Sequence, residues 1–210
     1  LLGGEGDDTL NARADSDLLD GGAGLDRAFL NAATGNMSVN LRAVGGETIT
    51  GVAGIGSNTL IGIEGLWLGS GDDTVIATDV GGIIQNLGVG NDSFVGGAGG
   101  DIAVGGPGND TLDGGAGDDI LSYENALIGV TVELDESGNA TVVGADSSIG
   151  TDHAFGFEVV LGTLGNDSLV GNSGANTLQG YAGNDTLVGG AGGDMVSYLV
   201  VGTVGVAVEL

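Results

Sequence analysis

The sequence contains no cysteine and no lysine, and its three basic residues are Arg13, Arg27 and Arg42. Without cysteine, the chain can form neither disulfides nor thiolate metal sites. Binding to nucleic acids and to anionic membrane surfaces depends on Lys and Arg, whereas the formal net charge here is −26, so neither is an expected partner. The natural partners of so acidic a chain are cations.

Catalytic groups are also scarce. The one histidine is His153, and the sequence has no Ser-His-Asp set, no HExxH motif and no phosphate loop leading into a helix. A general base is therefore hard to place, and we predict that the chain is not itself an enzyme, whatever its parent protein does. No apolar run approaches the roughly 20 residues of a transmembrane helix. Because the chain starts in a glycine turn and stops at Leu210 inside an apparent strand, we expect both ends to be cuts in a longer polypeptide.

What the chain has in abundance is glycine, with 47 residues. High glycine content together with high net charge can indicate disorder. However, 41% of the residues are hydrophobic, and Leu, Val and Ile are spread along the whole chain. This regularity favours a repeating fold over a solvated coil.

Aspartate recurs at intervals of nine residues in three blocks. The positions are Asp8, Asp17 and Asp26; Asp92, Asp101, Asp110 and Asp119; and Asp167, Asn176, Asp185 and Asp194. Glycine stands two residues before most of them, and an apolar or small side chain two residues after each. The best units read GGAGGDIAV (96–104), GGPGNDTLD (105–113), GGAGDDILS (114–122) and GGAGGDMVS (189–197). A single unit of this kind is a weak signal, but many in register are a strong one.

Each unit divides into a six-residue turn and a three-residue strand whose middle side chain points inward. Glycine supplies the positive-φ conformations of the turn. Two units then complete one coil, so residues eighteen positions apart stack on the same edge, roughly 4.8 Å apart. The pattern therefore predicts an all-β solenoid of parallel strands with two nonapeptides per coil.

Stacking at this interval brings carboxylates to a common gap, where two of them together with glycine carbonyls match the six to eight oxygens that Ca²⁺ prefers. Turn chemistry alone would explain one Asp but not its recurrence. We predict about four to six Ca²⁺ ions. The predicted side-chain ligands are Asp8, Asp26, Asp73, Asp92, Asp101, Asp110, Asp119, Asp167, Asn176, Asp185 and Asp194, and the predicted carbonyl ligands are Gly97, Gly99, Gly106, Gly108, Gly115 and Gly117.

Four positions modify this expectation. Asn176 carries no charge, so its site should be weaker. Asp17 has no partner at Gly35, and Gly82 takes the Asp position of its unit. Asp73 and Asp92 are nineteen residues apart, which we attribute to one extra residue near Asn86.

The motif G-G-x-G-x-D-x-U-x, with U a core residue, resembles the RTX (repeats-in-toxin) calcium-binding nonapeptide, or haemolysin-type repeat. This resemblance implies a right-handed parallel β-roll or β-helix. It also implies export from a Gram-negative bacterium by type I secretion, with the array unfolded in low cytosolic calcium and folding outside the cell.

A second kind of segment alternates with the repeats and occurs three times. Residues 26–41, 119–134 and 194–210 resemble one another and end in alternating apolar residues, such as Val130, Val132 and Leu134, which are typical of half-buried strands. We expect wider coils that continue the same solenoid. The predicted division is repeats at 1–29, 68–122 and 162–197, inserts at 30–67 and 123–161, and the start of a third insert at 198–210. Trp67 and Tyr123 are predicted to pack in the interior, and Glu64 and Glu158 occupy equivalent places.

Three functions are compatible with the sequence. The chain could be a structural module that folds on calcium binding, a calcium-dependent adhesion or polysaccharide-binding module, or a non-catalytic accessory domain of a secreted enzyme. A groove for an anionic polymer would need more than three arginines.

Overall fold

A computed structural model describes residues 1–13, 16–41, 47–78, 82–136, 138–146, 148–197 and 207–209. These residues form 23 β-strands and no helix. Within this part of the chain there is accordingly no helix of the length and apolarity that crossing a membrane requires. Most strands are three residues long, because each is an x-U-x triplet between two glycine turns.

One side of the molecule is a continuous parallel sheet of nine strands, which we call the long sheet. In spatial order its strands are β2 (Thr9–Asn11), β4 (Arg27–Phe29), β8 (Gly65–Trp67), β10 (Ile84–Asn86), β12 (Ile102–Val104), β14 (Ile120–Ser122), β18 (Val159–Leu161), β20 (Thr177–Gln179) and β22 (Met195–Ser197). Within the repeat blocks the pairing interval is eighteen residues, as between Ile102 and Ile120.

The chain alternates between the long sheet and two other sheets. One has the order β1 (Leu2–Glu5), β3 (Leu18–Ala23), β7 (Gly56–Ile61) and β6 (Glu47–Val52). The other has the order β23 (Ala207–Glu209), β21 (Thr186–Val188), β19 (Ser168–Val170), β15 (Val130–Leu134), β16 (Asn139–Gly144), β17 (Thr151–Phe155), β13 (Thr111–Asp113), β11 (Ser93–Val95), β9 (Thr74–Ile76) and β5 (Ser38–Asn40). The architecture is a parallel β-roll, as the repeat predicted.

Each insert adds one antiparallel strand, which pairs on both sides in the second insert, whereas in the first β6 pairs, among the described residues, with β7 alone. In the second insert, β17 pairs in parallel with β13 and β15 pairs in parallel with β19. Between them lies β16, which pairs antiparallel with both β17 and β15. In the first insert, β7 pairs in parallel with β3 and antiparallel with β6, and β5 pairs in parallel with β9. In the long sheet, the strands before and after each insert pair directly with each other, β4 with β8 and β14 with β18. The prediction that the inserts continue the solenoid as wider coils is confirmed.

Among the described residues the core is a single cluster of inward-facing side chains, to which the strands at the ends of two sheets, β1 and β23, contribute none. It contains the predicted core residues Leu10, Leu19, Ala28, Phe94, Ala103, Leu112, Leu121, Leu169, Leu178 and Leu187, with Val196 half-buried against it. The alternating residues of the first two inserts are buried as well. In the third, Val208 is 43% exposed, contrary to the prediction, and its predicted companions Val206 and Leu210 lie outside the described residues.

Two predictions about individual positions were wrong. Trp67 is half-buried on the outer face of the long sheet, and its neighbour Leu66 takes the core position. The extra residue does not lie near Asn86, because Thr74 and Ile84 are ten residues apart in the pairing register while the flanking intervals are nine. This shift turns Gln85 inward, and Ile83 rather than Gly82 takes the Asp position.

Candidate calcium site

The sixth residues of the units stack in two columns, one at each edge of the roll. The first column precedes the strands of the long sheet and contains Asp8, Asp26, Asp101, Asp119, Asn176 and Asp194. The second column precedes the opposing strands and contains Asp17, Asp73, Asp92, Asp110, Asp167 and Asp185. The columns form because the nine-residue repeat returns each turn to the same edge after every second unit.

Within a column, one hydrogen bond recurs from coil to coil. The backbone N–H of one sixth residue donates to Oδ1 of the next sixth residue. The distances are 2.8 Å for Asp8 to Asp26, 2.7 Å for Asp73 to Asp92, 2.8 Å for Asp92 to Asp110, 2.7 Å for Asp101 to Asp119, 3.1 Å for Asp167 to Asp185 and 3.0 Å for Asn176 to Asp194. Every pair that the sequence predicted is therefore brought together, including the pair nineteen residues apart.

The second carboxylate oxygen of the column aspartates, Oδ2, has unusual surroundings. Oδ2 is buried and has no hydrogen-bond partner in the described part of the chain in seven of these residues, Asp8, Asp26, Asp73, Asp92, Asp110, Asp119 and Asp185. Buried polar atoms in proteins are almost always partnered, since an unpaired one costs several kcal/mol. A bare carboxylate oxygen repeated along two columns fits a cation ligand. Asp101 and Asp167 differ, because their Oδ2 atoms accept from the N–H groups of Gly97 and Thr163.

Burial also disfavours the ionised form of three aspartates of the second column in the metal-free fold. Desolvation raises the pKa of Asp92 and of Asp110 to about 7, and the neighbouring carboxylates add to the rise. Desolvation likewise raises the pKa of Asp73 to about 6. Since the unfolded chain ionises near pH 4, the metal-free fold loses stability as the pH rises from about 4 to about 7. A cation bound between the columns' carboxylates would remove this penalty, because an opposite charge favours the ionised form.

Glycine carbonyls line the same edges. A Cβ atom on Gly115 or Gly117 would meet the carbonyl oxygen of Gly97 or Gly99 in the coil before, and one on Gly106 or Gly108 would meet that of Gly88 or Gly90. The carbonyl of Gly97 also accepts a hydrogen bond of 2.9 Å from the N–H of Ala116. The carbonyl-rich turns that the sequence predicted are therefore present, and only glycine allows them to stack this closely.

The inserts contribute to the columns in a way that the nine-residue pattern could not reveal. Asn58, Glu64, Asp152 and Glu158 accept hydrogen bonds from the N–H groups of Asp17, Asp26, Asp110 and Asp119, respectively. Asp17 thus has a partner, Asn58, although its repeat partner at position 35 is missing. Asp152 binds protein donors with both oxygens, because its Oδ2 also accepts from the buried hydroxyl of Tyr123 at 2.8 Å.

The fifth residues of the units, which directly precede the column residues, are also joined from coil to coil by hydrogen bonds. Asp72 accepts from the N–H of Asn91, Asn91 from that of Asn109, and Asn166 from that of Asn184, at distances from 2.7 to 3.0 Å. The signal for this set was the recurrence of Asn or Asp just before the repeated Asp.

The chemistry of both columns points to a hard cation. In the described ranges no three His, Cys, Asp or Glu side chains converge on one point, so side chains alone do not complete a site. Each gap instead offers carboxylate oxygens from two coils together with turn carbonyls. This donor set suits Ca²⁺, which takes six to eight oxygens at about 2.3–2.6 Å, better than Mg²⁺, which demands a tighter octahedron.

Fold and site together define a parallel β-roll with calcium-binding turns. In agreement, the family model of the RTX calcium-binding nonapeptide repeat matches the chain in four copies, over residues 1–28, 88–121 and 161–196. The chain therefore carries RTX calcium-binding nonapeptide repeats and is a calcium-binding repeat module. A comparison with curated proteins found no match.

Proposed function

We propose that the chain is the calcium-dependent structural module of a larger, secreted bacterial protein, exported by type I secretion and folded by calcium outside the cell. The observation that carries this proposal is the set of seven buried Oδ2 atoms that have no partner among the residues the structure describes. A chain with these columns folds poorly where calcium is scarce, which suits passage through a secretion channel, and it becomes rigid where calcium is plentiful. In this role the module holds neighbouring domains and performs no catalysis itself.

We further propose that the ions lie along both columns and are held by the predicted ligands, namely the aspartates, Asn176 and the turn carbonyls. Asp101 and Asp167 contribute least among them, because both oxygens of each already accept hydrogen bonds from protein donors. The repeats at 1–29, 68–122 and 162–197 would hold them, and the inserts at 30–67 and 123–161 would join the blocks. Asp92 and Asp110 support this assignment most directly, because their stacked carboxylates each keep one bare oxygen.

Replacing Asp110 by Asn tests the ligand assignment. The amide keeps the size and the oxygen that accepts the N–H of Asp92, but it removes one negative charge from the gap. Because the charge count of the ligands sets calcium affinity, we expect at least a tenfold weaker site and one fewer tight ion in a calorimetric calcium titration. The matched control is Asp146→Asn, an exposed residue whose substitution should leave the ion count unchanged. Equal titrations for both variants would remove Asp110 from the ligand set.

A second candidate function, binding of an uncharged polysaccharide, is favoured by one feature of the long sheet. The rings of Phe29 and Trp67 stack on its outer face with centroids 5.0 Å apart and planes at 10°, and the guanidinium carbon of Arg27 lies 5.8 Å from the centre of the Trp67 ring. Gly65 leaves room for this arrangement, because a Cβ there would press on Arg27 and Trp67. Half-exposed aromatic rings beside polar groups are suited to stacking on sugar rings.

The rings border an elongated groove of about 550 Å³ whose walls include residues of seven successive strands of the long sheet, from Thr9 to Leu161. With calcium present, we expect Trp67→Ala to lower affinity for a neutral glycan found on a glycan array by about tenfold. Ile120→Ala, on the same sheet but outside the groove, should bind as the unmodified chain does. No glycan bound by the calcium-loaded chain, or equal binding by both variants, would leave only the structural role.

A further inference from the structure

The first column does not stop where an insert begins. After Asp26 and after Asp119 the repeat is broken, yet the backbone N–H of each still donates to a carboxylate of the next coil. The acceptors are Oε2 of Glu64, at 2.9 Å from Asp26, and Oε2 of Glu158, at 3.0 Å from Asp119. A glutamate from each insert thus stands where an aspartate of the repeat would otherwise stand.

The stack of glycine carbonyls beside the first column also continues into the inserts. A Cβ on Gly96 would meet the carbonyl of Gly114, the corresponding glycine of the next coil. A Cβ on Gly21 would meet the carbonyl of Gly62, and one on Gly114 that of Gly156. The two insert glycines, Gly62 and Gly156, have left-handed backbone conformations, with φ of 54° and 65°, respectively. Each therefore supplies the carbonyl that a repeat glycine supplies elsewhere.

Both gaps contain an unsatisfied acceptor. The carboxylates of Asp26 and Asp119 are fully buried, and the Oδ2 atom of each has no partner among the described residues. At the first gap there is also a cavity of about 10 Å³, bordered by Asp26, Glu64 and Gly65, which is roughly the room of one water-sized sphere. Arg27 borders it too, with its guanidinium directed over the ring of Trp67.

From this geometry we propose two further calcium sites, one between Asp26 and Glu64 and one between Asp119 and Glu158, in which insert glutamates replace repeat aspartates. The proposal rests on the proposed function, because it extends calcium binding across the inserts. Its consequence is that each insert takes part in the calcium binding of the repeats before it. The first column is then continuous from Asp8 to Glu64 and from Asp101 to Glu158, so that calcium couples an insert to the repeats on its N-terminal side.

The second column supplies a contrast within the same molecule. There the insert residue that accepts from Asp110 is Asp152, and its other oxygen is bonded to the hydroxyl of Tyr123. A carboxylate with both oxygens bonded to protein donors has less to offer a cation than one with a bare oxygen beside it. We therefore assign insert sites to the first column and none to Asp152.

The test is to count ions in Glu64→Gln, Glu158→Gln and the double variant. Glutamine keeps an oxygen that can accept the N–H of Asp26 or Asp119, so each variant should retain its β-rich circular dichroism spectrum in saturating calcium. Equilibrium dialysis against Ca²⁺ is expected to show one ion fewer per folded chain for each single variant and two fewer for the double variant. Glu133→Gln, which removes an exposed glutamate from β15, should lose none.

Terbium gives a second, site-resolved measurement. Tb³⁺ replaces Ca²⁺ at oxygen sites and emits when a nearby tryptophan is excited, and the one tryptophan of the chain, Trp67, lies three residues from Glu64. Tryptophan-sensitised emission should fall sharply in Glu64→Gln and persist in Glu158→Gln. An unchanged ion count and unchanged emission in the glutamate variants would overturn the insert sites while the proposed function stands. A parent chain that binds no Ca²⁺ at all would instead refute the proposed function.

Discussion

Adding excess chelator to the calcium-loaded chain is expected to abolish most of its β structure, and restoring calcium is expected to bring the structure back cooperatively. The reason lies in the columns. Burial raises the pKa of Asp73 to about 6 and the pKa values of Asp92 and Asp110 to about 7, so ionising these side chains in the folded chain without a cation costs free energy at neutral pH and above. Carboxylates stacked in this way repel one another unless a cation lies between them.

The expected size of the effect follows from linkage. A ligand that binds only the folded state at a hundred times its dissociation constant stabilises that state by about 2.7 kcal/mol per site. Four such sites would contribute about 11 kcal/mol, which is comparable to the whole stability of an ordinary domain, 5–15 kcal/mol. Metal binding would therefore provide most of the folding free energy, as in other small metal-dependent folds.

Far-ultraviolet circular dichroism during a calcium titration measures this directly, with Mg²⁺ as the control ion. We expect Mg²⁺ at the same concentration to restore little structure, because it holds its waters and demands a tighter octahedron. A β spectrum that survives chelation would mean that hydrophobic burial alone stabilises the roll, and the columns would then need another explanation.

The repeat made much of this structure predictable. A period of nine with one core residue per unit determines the strand length, the inward face and the interval of eighteen, and each of these is present in the pairing. The predictions failed where the period changes. Ten residues instead of nine separate Thr74 from Ile84, and this single insertion is enough to turn Gln85 inward and to put Ile83 at the Asp position.

The insert ligands were out of reach for a related reason. Glu64, Glu158 and Asp152 stand 38, 39 and 42 residues from their donors, and these intervals depend on how each insert folds back. One clue was present in the sequence, since Glu64 and Glu158 occupy equivalent places. If Glu64 is taken as the sixth residue of a repeat unit, Leu66 falls at the core position and Trp67 on the outer face, as the structure has them.

The stacked glycines predict the largest effect of a single substitution. Gly71, Gly90, Gly108 and Gly150 follow one another along one edge, and a Cβ on each of the last three would collide with the carbonyl oxygen of the glycine before it. Gly108 has a φ of +154°, and its collision partner is the backbone of Gly90, which cannot rotate away as a side chain could. Alanine at position 108 would therefore force neighbouring coils apart at the turn that carries Asp110.

We expect Gly108→Ala to lower the free energy of unfolding in saturating calcium by more than about 3 kcal/mol, in the range of severe single substitutions, with a clear fall in the thermal midpoint. Two controls separate the causes. A Cβ on Gly193 would meet no atom of the described residues within 4 Å, so Gly193→Ala should change stability by less than about 0.5 kcal/mol. Gly138 also has open space but a φ of +78°, so Gly138→Ala should cost only the roughly 1–2 kcal/mol of a left-handed backbone. If Gly108→Ala costs no more than Gly138→Ala, backbone conformation alone accounts for the glycines, and close stacking of the coils is not what requires them.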